Sequence, residues 1–196
     1  MRKIAAVYFL FIASCLQTKP QIIFLNGPAC AGKTTTAKEI QNKMEKPFLI
    51  VGMDSFLAMF PPHLIGQSEA AKEGFYFNKE KSEFSFGKWG IRLDVGKIQA
   101  IKALAEAKNN LIIDEVILTK EILLDYARAL KNYTILFVGL ECPLKILQER
   151  ELARKYQTPG ISEAMNKIVH NHSEYDLKIN TGNITPAEAA DKIIEA

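Results

Sequence analysis

A glycine-rich stretch near the start of the chain has residue types that could bind phosphate. The pattern G-x-x-x-x-G-K-[ST] is met by Gly27, Pro28, Ala29, Cys30, Ala31, Gly32, Lys33 and Thr34, and Thr35 follows it. In this pattern Gly27 and Gly32 permit backbone angles that let consecutive N–H groups converge on phosphate oxygens. Lys33 reaches the β- and γ-phosphates, and the Thr34 hydroxyl can bind Mg²⁺. The sequence therefore predicts a nucleotide-binding loop over residues 27–35.

The context of this loop narrows the choice of nucleotide-binding protein. An apolar run, Ile22–Leu25, precedes the loop and a helical pattern, Thr35–Lys46, follows it, which is the setting that the motif requires. A guanine-specific [NT]-K-x-D motif is not met at Asn42–Glu45, because Glu45 stands where that motif needs Asp. A small chain with one nucleotide loop, an insertion on the acceptor side and an arginine-bearing helix fits a small-molecule kinase best.

One acidic residue follows the second apolar run of the chain. Asp54 comes directly after Phe48–Met53, and ligands of open α/β sheets bind beyond the carboxyl ends of the strands. A carboxylate in that place can accept the proton of an attacking hydroxyl, which makes Asp54 the predicted catalytic base. The alternative is that Asp54 is the N-cap of a helix over Ser55–Met59, because Asp is a favoured cap.

Two further acidic residues follow a third apolar run. Asp114 and Glu115 come directly after Leu111–Ile113, where nucleotide-loop proteins carry the Walker B acid that holds Mg²⁺ directly or through water. Asp114 is the better candidate of the two. The alternative is that the pair only caps or ends the strand.

Two arginines occur close together in a predicted helix, Pro143–Lys155. Arg150 and Arg154 are four residues apart, so both guanidinium groups would share one helix face. Arginines on a mobile segment can close over a transferring phosphate and stabilise its charge. The alternative is a solvated helix face on which Glu149 and Glu151 pair with the arginines.

The elements that must position these residues alternate along the chain. Five apolar runs are predicted to be strands: Ile22–Leu25, Phe48–Met53, Leu111–Ile113, Thr134–Leu140 and Leu177–Ile179. The predicted helices are Thr35–Lys46, Lys97–Lys108, Glu121–Leu130, Pro143–Lys155 and a last helix opened by the capping box Thr185–Glu188. Because the strands are apolar throughout and do not alternate, helices should cover both faces of the sheet. The prediction is an α/β, doubly wound, parallel five-stranded sheet of the P-loop kinase fold.

Composition and length set the number of domains and exclude several classes of protein. The chain has 196 residues, 48% of them hydrophobic and 24% charged, which fits one folded domain over residues 21–196 and excludes disorder. The interval Pro61–Arg92 breaks the α/β alternation and is predicted to be an insertion that serves the acceptor. A net charge of +3 without a basic block gives no support for nucleic-acid binding. Three cysteines, Cys15, Cys30 and Cys142, suit a reducing compartment.

The first twenty residues form a separate hydrophobic segment. In residues 1–16, Arg2 and Lys3 precede an apolar run from Ile4 to Ala13, which has the layout of a secretory signal, and Ile12–Cys15 resembles a bacterial lipobox. An extra helix or a misplaced start codon would explain the same residues. Because a kinase needs ATP, the expected compartment is the cytoplasm, with association with a membrane through residues 4–16 or lipidation of Cys15 as the alternative.

Taken in order along the chain, several stretches resemble chloramphenicol phosphotransferase and its relatives, which are P-loop kinases. The matching stretches are IIFLNGPACAGKTT, GMDSF–MFPP, LIIDEVIL, LFVGLECPLKILQERELAR, TPGIS, VH and YDLKINT, and they cover most of residues 21–190. The resemblance implies ATP as donor, Mg²⁺ as metal and a small hydroxyl compound as acceptor. It also implies Asp54 as the base, and Arg150 and Arg154 as arginines of a lid.

Two stretches depart from the pattern of this family. Lys155–Gln157 stands where relatives carry Gly-Asp-Arg, so one lid arginine is absent, and Pro61–Arg92 matches poorly. We therefore expect the donor site to follow the family and the acceptor to differ from chloramphenicol. The alternative functions are a toxin-type kinase of a nucleotide sugar and a membrane-tethered nucleotide-binding module without catalysis.

Overall fold

A parallel sheet with helices on both faces forms the frame of the protein. The computed structural model describes residues 21–154 and 158–196, so the predictions for residues 1–20 fall outside the described part. In chain order the elements are β1 (Ile22–Asn26), α1 (Lys33–Lys43), β2 (Phe48–Gly52), α2 (Met53–Leu57), β3 (Ile65–Gly66), β4 (Phe75–Asn78), β5 (Glu83–Phe86), α3 (Lys88–Glu106), β6 (Asn110–Glu115), α4 (Lys120–Ala129), β7 (Ile135–Glu141), α5 (Leu144–Leu152), α6 (Ile161–Asn166), β8 (Leu177–Asn180) and α7 (Pro186–Ile194). Five of the strands form the sheet in the order β2-β6-β1-β7-β8, all parallel. The predicted doubly wound α/β fold is confirmed.

The apolar strands are buried on both faces, as their composition predicts. Along β1, Ile23 and Leu25 pack in one core with α1 and α7, whereas Ile22 and Phe24 pack in a second core with α3 and α4. Successive side chains of a strand point to opposite faces, so an apolar run without alternation supplies both cores.

The start of the last helix agrees with the sequence, because a capping box sets it. The capping box at the start of α7 is present, with Thr185 accepting from the Glu188 N–H and Pro186 in the first turn. By contrast, α3 begins at Lys88 and not at the predicted Lys97. The apolar side chains of Ile91 and Val95 are exposed there, which obscures the amphipathic pattern on which a helix prediction depends.

The interval that breaks the α/β alternation contains a small sheet of its own. Two 3₁₀ turns, Pro62–Leu64 and Ala70–Glu73, accompany a sheet of order β3-β4-β5, in which β4 and β5 are antiparallel. Phe75 pairs with Phe86 and Phe77 with Phe84. Phenylalanines at alternate positions carry the period-two pattern of a strand, and sequence analysis missed this signal. None of the helices within 21–154 and 158–196 is long and apolar enough to cross a membrane.

Candidate active site

The loop between β1 and α1 is fixed by glycines that act in different ways. Gly32 precedes α1 with a φ of 89°, in the left-handed region that other residues rarely adopt. Gly27 has no left-handed φ, which corrects the expectation for this residue. A Cβ at Gly27 would lie 2.5 Å from the carbonyl oxygen of Leu140, so glycine is required there because β7 lies so close. The loop thus starts against the sheet and turns into the helix at Gly32.

Lys33 is held inside the loop that precedes it. Its side chain is buried, and Nζ donates a hydrogen bond to the Pro28 carbonyl oxygen at 3.0 Å. Burial lowers the pKa of Lys33, while the carboxylates of Asp114 and Asp54 oppose that shift. The ammonium group lies beside Asp114 at the carboxyl end of the sheet.

Thr34 and Asp114 form a direct pair beside this lysine. The Thr34 hydroxyl donates to Asp114 Oδ2 at 2.5 Å, and Lys33 Nζ lies 4.0 Å from Asp114 Oδ1. Burial raises the pKa of Asp114, although Lys33 and the Thr34 hydrogen bond act in the opposite direction. A hydroxyl and a carboxylate are hard oxygen ligands of the kind that Mg²⁺ takes together with substrate phosphates. These two residues therefore fit a magnesium site.

Glu115, the neighbour of Asp114, serves the core and not the cavity. Its side chain is fully buried, accepts a hydrogen bond from the Tyr126 hydroxyl at 2.5 Å and pairs with Lys97, which also contacts Asp94 at 2.8 Å. Burial raises the pKa of Tyr126 well above its ordinary value. The two acids that the sequence offered for the metal thus point to different environments.

Asp54 is brought to the same edge of the sheet by a close approach of two strands. Gly52 ends β2 in register with Asp114, and a Cβ on Gly52 would collide with the Asp114 carbonyl oxygen. α2 begins at Met53 with Gly52 as its N-cap. The alternative of Asp54 as the N-cap of a helix over Ser55–Met59 is therefore wrong. Its carboxylate is exposed and lines the cavity beside the loop.

The two arginines of the predicted helix have different environments. α5 ends at Leu152, so Arg154 does not share a helix face with Arg150, contrary to expectation. The Arg150 guanidinium donates to the carbonyl oxygens of Cys30 at 3.2 Å and Thr181 at 2.9 Å, beneath the loop. Arg154 lines the cavity instead, close enough to Lys33 to lower the pKa of that lysine.

One cavity of about 780 Å³ joins the phosphate loop to the small sheet. Of the predicted nucleotide-binding residues, Ala29, Cys30, Gly32, Lys33 and Thr34 line it, whereas Gly27, Pro28, Ala31 and Thr35 do not. The far side is an aromatic wall, defined as Phe75, Phe77, Phe84 and Phe86. The rings of this wall pack on one another, stacked between Phe77 and Phe84 at 4.8 Å and edge-to-face between Phe75 and Phe86 at 5.3 Å.

Two polar residues that support the site were missed by the sequence analysis. Asn26, the last residue of β1, donates to the Val169 carbonyl oxygen and the Tyr175 hydroxyl, and accepts from the Ile117 N–H. A polar residue that ends an apolar strand just before a phosphate loop is the signal that could have identified it. Glu151, for which the sequence offers only the alternative of an ion pair with the arginines, accepts backbone hydrogen bonds from the start of α6.

Comparisons with known proteins place this chain beside phosphotransferases. A family model described as "Chloramphenicol phosphotransferase-like protein" matches residues 20–196. A protein of Mycobacterium tuberculosis, described as a candidate O-phosphotransferase, is 28% identical over 185 residues, which are 90% of this chain and 81% of the relative.

Solved structures with this fold include several kinases. The structure of Mycobacterium tuberculosis APS kinase in complex with AMPPNP and APS superposes with a TM-score of 0.62 at 12% identity, covering 90% of this chain and 96% of that one. Shikimate kinase from Aquifex aeolicus gives a TM-score of 0.53 at 18% identity, covering 89% and 94%. The tunicamycin resistance protein of Deinococcus radiodurans gives 0.59 at 18% identity, covering 90% and 94%. These likenesses show the fold.

Proposed function

This chain belongs to the family of chloramphenicol phosphotransferase-like proteins, and from that premise we propose that it is an ATP-dependent O-phosphotransferase acting on a small hydroxyl compound. The observation that carries the proposal is the single cavity that contains both Lys33 and Asp54. A phosphate on the loop and a hydroxyl beside Asp54 would meet in this one cavity. A protein that only binds nucleotides has no need of the second half of this cavity.

On the donor side, the loop would bind the phosphates of ATP. Lys33 would exchange the Pro28 carbonyl oxygen for the β- and γ-phosphate oxygens, and the N-terminus of α1 adds its positive dipole. Thr34 and Asp114 would hold Mg²⁺, which when bound neutralises charge on those phosphates. Arg154, at the cavity edge, would stabilise the charge of the phosphoryl group during transfer.

On the acceptor side, Asp54 would act as the general base. The acceptor hydroxyl oxygen forms a bond to the γ-phosphorus as the bond from that phosphorus to the β–γ bridging oxygen breaks, and ADP leaves with those electrons. Asp54 takes the hydroxyl proton late in this step, which is typically worth about 10²–10⁴-fold in rate. This proposal is supported by the position of the Asp54 carboxylate, which is exposed and lines the cavity.

The aromatic wall supports an acceptor with an uncharged, apolar body. The rings of Phe75, Phe77, Phe84 and Phe86 offer area for apolar contact, and Tyr76 and Ser85, which line the cavity from the same strands, carry hydroxyl groups and no charge. Burying an unpaired charge against such a wall would be costly. Because the interval that forms this wall diverges from the family pattern, we propose that the physiological acceptor is a hydroxyl compound other than chloramphenicol.

A phosphate-transfer screen tests the proposal. The protein is incubated with radiolabelled γ-phosphate ATP, Mg²⁺ and a panel of uncharged aromatic alcohols, chloramphenicol and nucleotide sugars, and phosphorylated products are identified by mass spectrometry. We expect transfer to at least one uncharged alcohol. Binding of ATP without transfer to any compound would favour a non-catalytic module. A kcat/KM for chloramphenicol of about 10⁴ M⁻¹s⁻¹ or more is typical of an enzyme with its own substrate. Such a value would refute the proposal that the physiological acceptor is a compound other than chloramphenicol.

The need for ATP also supports the cytoplasm as the compartment of this reaction. Mass spectrometry of the N-terminus of the protein from its native cells tests this proposal. A mature chain that begins at a lipid-modified Cys15 would overturn it.

A further inference from the structure

Glu151 is a buried carboxylate whose oxygens are both used by backbone groups. Its side chain lies on α5 and is 6% exposed. One oxygen accepts from the Gly160 N–H and the other from the Ser162 N–H, each at 2.7 Å. A buried carboxylate is costly unless it is hydrogen-bonded, and bonds of this kind to a charged acceptor are the strong ones.

The two N–H groups that donate to Glu151 belong to the start of α6. The first N–H groups of a helix have no partner within the helix, and Gly160, the N-cap residue, has no side chain to supply one. Glu151 takes over this function from another helix. Two residues of α6, Ile161 and Met165, line the cavity, so the carboxylate fixes the position of an apolar part of the cavity lining.

The residue before Glu151, Arg150, contacts the phosphate loop. Arg150 donates to the carbonyl oxygens of Cys30 in the phosphate loop and Thr181 after β8. Consecutive residues on a helix point about 100° apart, so one turn of α5 contacts the loop through Arg150 and α6 through Glu151. A shift of α6 relative to the loop would require one of these contacts to break.

We propose that Glu151 is a positioning residue that sets α6 at the distance from the phosphate loop at which a bound acceptor is aligned with the γ-phosphate. The inference rests on the proposed phosphotransferase function. Glu151 does not touch the reacting atoms. It acts through Ile161 and Met165, whose positions decide how the acceptor body lies in the cavity. Misplacement of reactants by about 1 Å can cost about 10²-fold in rate.

Three variants test this role: Glu151→Ala, Glu151→Gln and, as a matched control, Glu149→Gln, which changes an exposed glutamate on the same helix. For Glu151→Ala we expect kcat/KM for the acceptor to fall by about 10²-fold, with a raised KM, while the Kd for ATP changes less than about twofold. Glu151→Gln keeps one acceptor oxygen and should lie between Glu151→Ala and the wild type. Glu149→Gln should match the wild type.

Hydrogen exchange of residues 158–166 gives a second measurement, because the Gly160 and Ser162 amides should lose protection in Glu151→Ala. Unchanged exchange of these amides in Glu151→Ala would overturn the positioning role. A fall in kcat together with a fall in ATP-binding stoichiometry, at constant KM for the acceptor, would also overturn it. If Glu151→Ala does not fold, Glu151→Gln decides on the same criteria. A wild-type protein that transfers phosphate to no acceptor would refute the proposed function itself, and the positioning role with it.

Discussion

The two sides of the cavity differ in the chemical groups that line them. The proposed donor side consists of backbone N–H groups, one buried lysine and a hydroxyl–carboxylate pair, all positioned by strand ends and one helix N-terminus. The proposed acceptor side consists of phenylalanine rings on a small sheet, held by contacts between the rings. Charge and hydrogen bonds restrict the donor side to one chemical group, whereas apolar contacts restrict the acceptor side mainly by shape. Substitutions on the first side should therefore affect catalysis with any acceptor, and those on the second should affect the choice of acceptor.

The largest effect is expected for Lys33→Ala on the donor side. Among the residues that the structure describes, Lys33 supplies the one ammonium group that lines the cavity, so its removal should weaken ATP binding and remove stabilisation of the transferring phosphate. Turnover should fall by about 10³-fold or more, measured as product formed at saturating acceptor, and ATP binding should weaken in calorimetry. Lys38→Ala, which changes an exposed lysine of the same helix, is the control. Wild-type ATP affinity and turnover in Lys33→Ala would contradict the assignment of the donor site to this loop.

Asp54→Asn separates the chemistry from donor binding. The amide cannot accept the hydroxyl proton, so kcat should fall by about 10²–10⁴-fold, while the Kd for ATP stays near that of the wild type. Asp54 lies in the first turn of α2 with Gly52 as the N-cap, so the loss of its charge should cost at most about 1 kcal/mol of unfolding free energy. Thermal unfolding of the variant measures that cost. A kcat near the wild-type value would exclude Asp54 as the base.

The two sides also differ in how far the sequence could predict them. The loop, the strand ends and Asp114 follow from local patterns, because the backbone geometry of a strand–loop–helix unit needs these residue types at fixed spacing. Strands β1, β2, β6, β7 and β8 were all expected from apolar runs. The small sheet was not, because strands β3 to β5 are short and depend on packing between cross-strand phenylalanines, although the alternate phenylalanines of β4 and β5 carry a local strand signal that sequence analysis missed. The end of α5 before Arg154, and the use of Glu151 by α6, likewise depend on tertiary contacts.

The arginines test whether proximity in sequence means a shared role. Arg154→Gln removes a cation that lines the cavity and should lower kcat by about 10²-fold. Arg150→Gln removes donors to the Cys30 and Thr181 carbonyl oxygens, so it should weaken ATP binding and lower the melting temperature with a smaller effect on kcat. Steady-state kinetics and thermal unfolding of both variants distinguish the roles. Equal losses of kcat would mean that the two arginines act together on the phosphate.

The smallest effect, and the sharpest test of the comparison, is expected for Phe84→Ala in the aromatic wall. The substitution removes a ring that lines the cavity and stacks on Phe77, while every donor-side group stays in place. Loss of apolar contact with a bound acceptor should cost about 1.5 kcal/mol or more, which is roughly a tenfold rise in KM for the acceptor. The Kd for ATP should not change.

Phe60→Ala provides the matched control for this variant. Phe60 packs edge-to-face on Phe75 at 5.5 Å but does not line the cavity, so its removal loosens the same aromatic cluster without removing acceptor contact. If the wall selects the acceptor by contact, Phe84→Ala should raise the KM for large acceptors more than the KM for small ones. Phe60→Ala should change the KM for large and small acceptors by the same factor. Equal rises in KM for large acceptors in Phe84→Ala and Phe60→Ala would mean that the aromatic wall affects KM only through its packing stability. A weaker ATP affinity in Phe84→Ala would show that the two sides of the cavity are not independent.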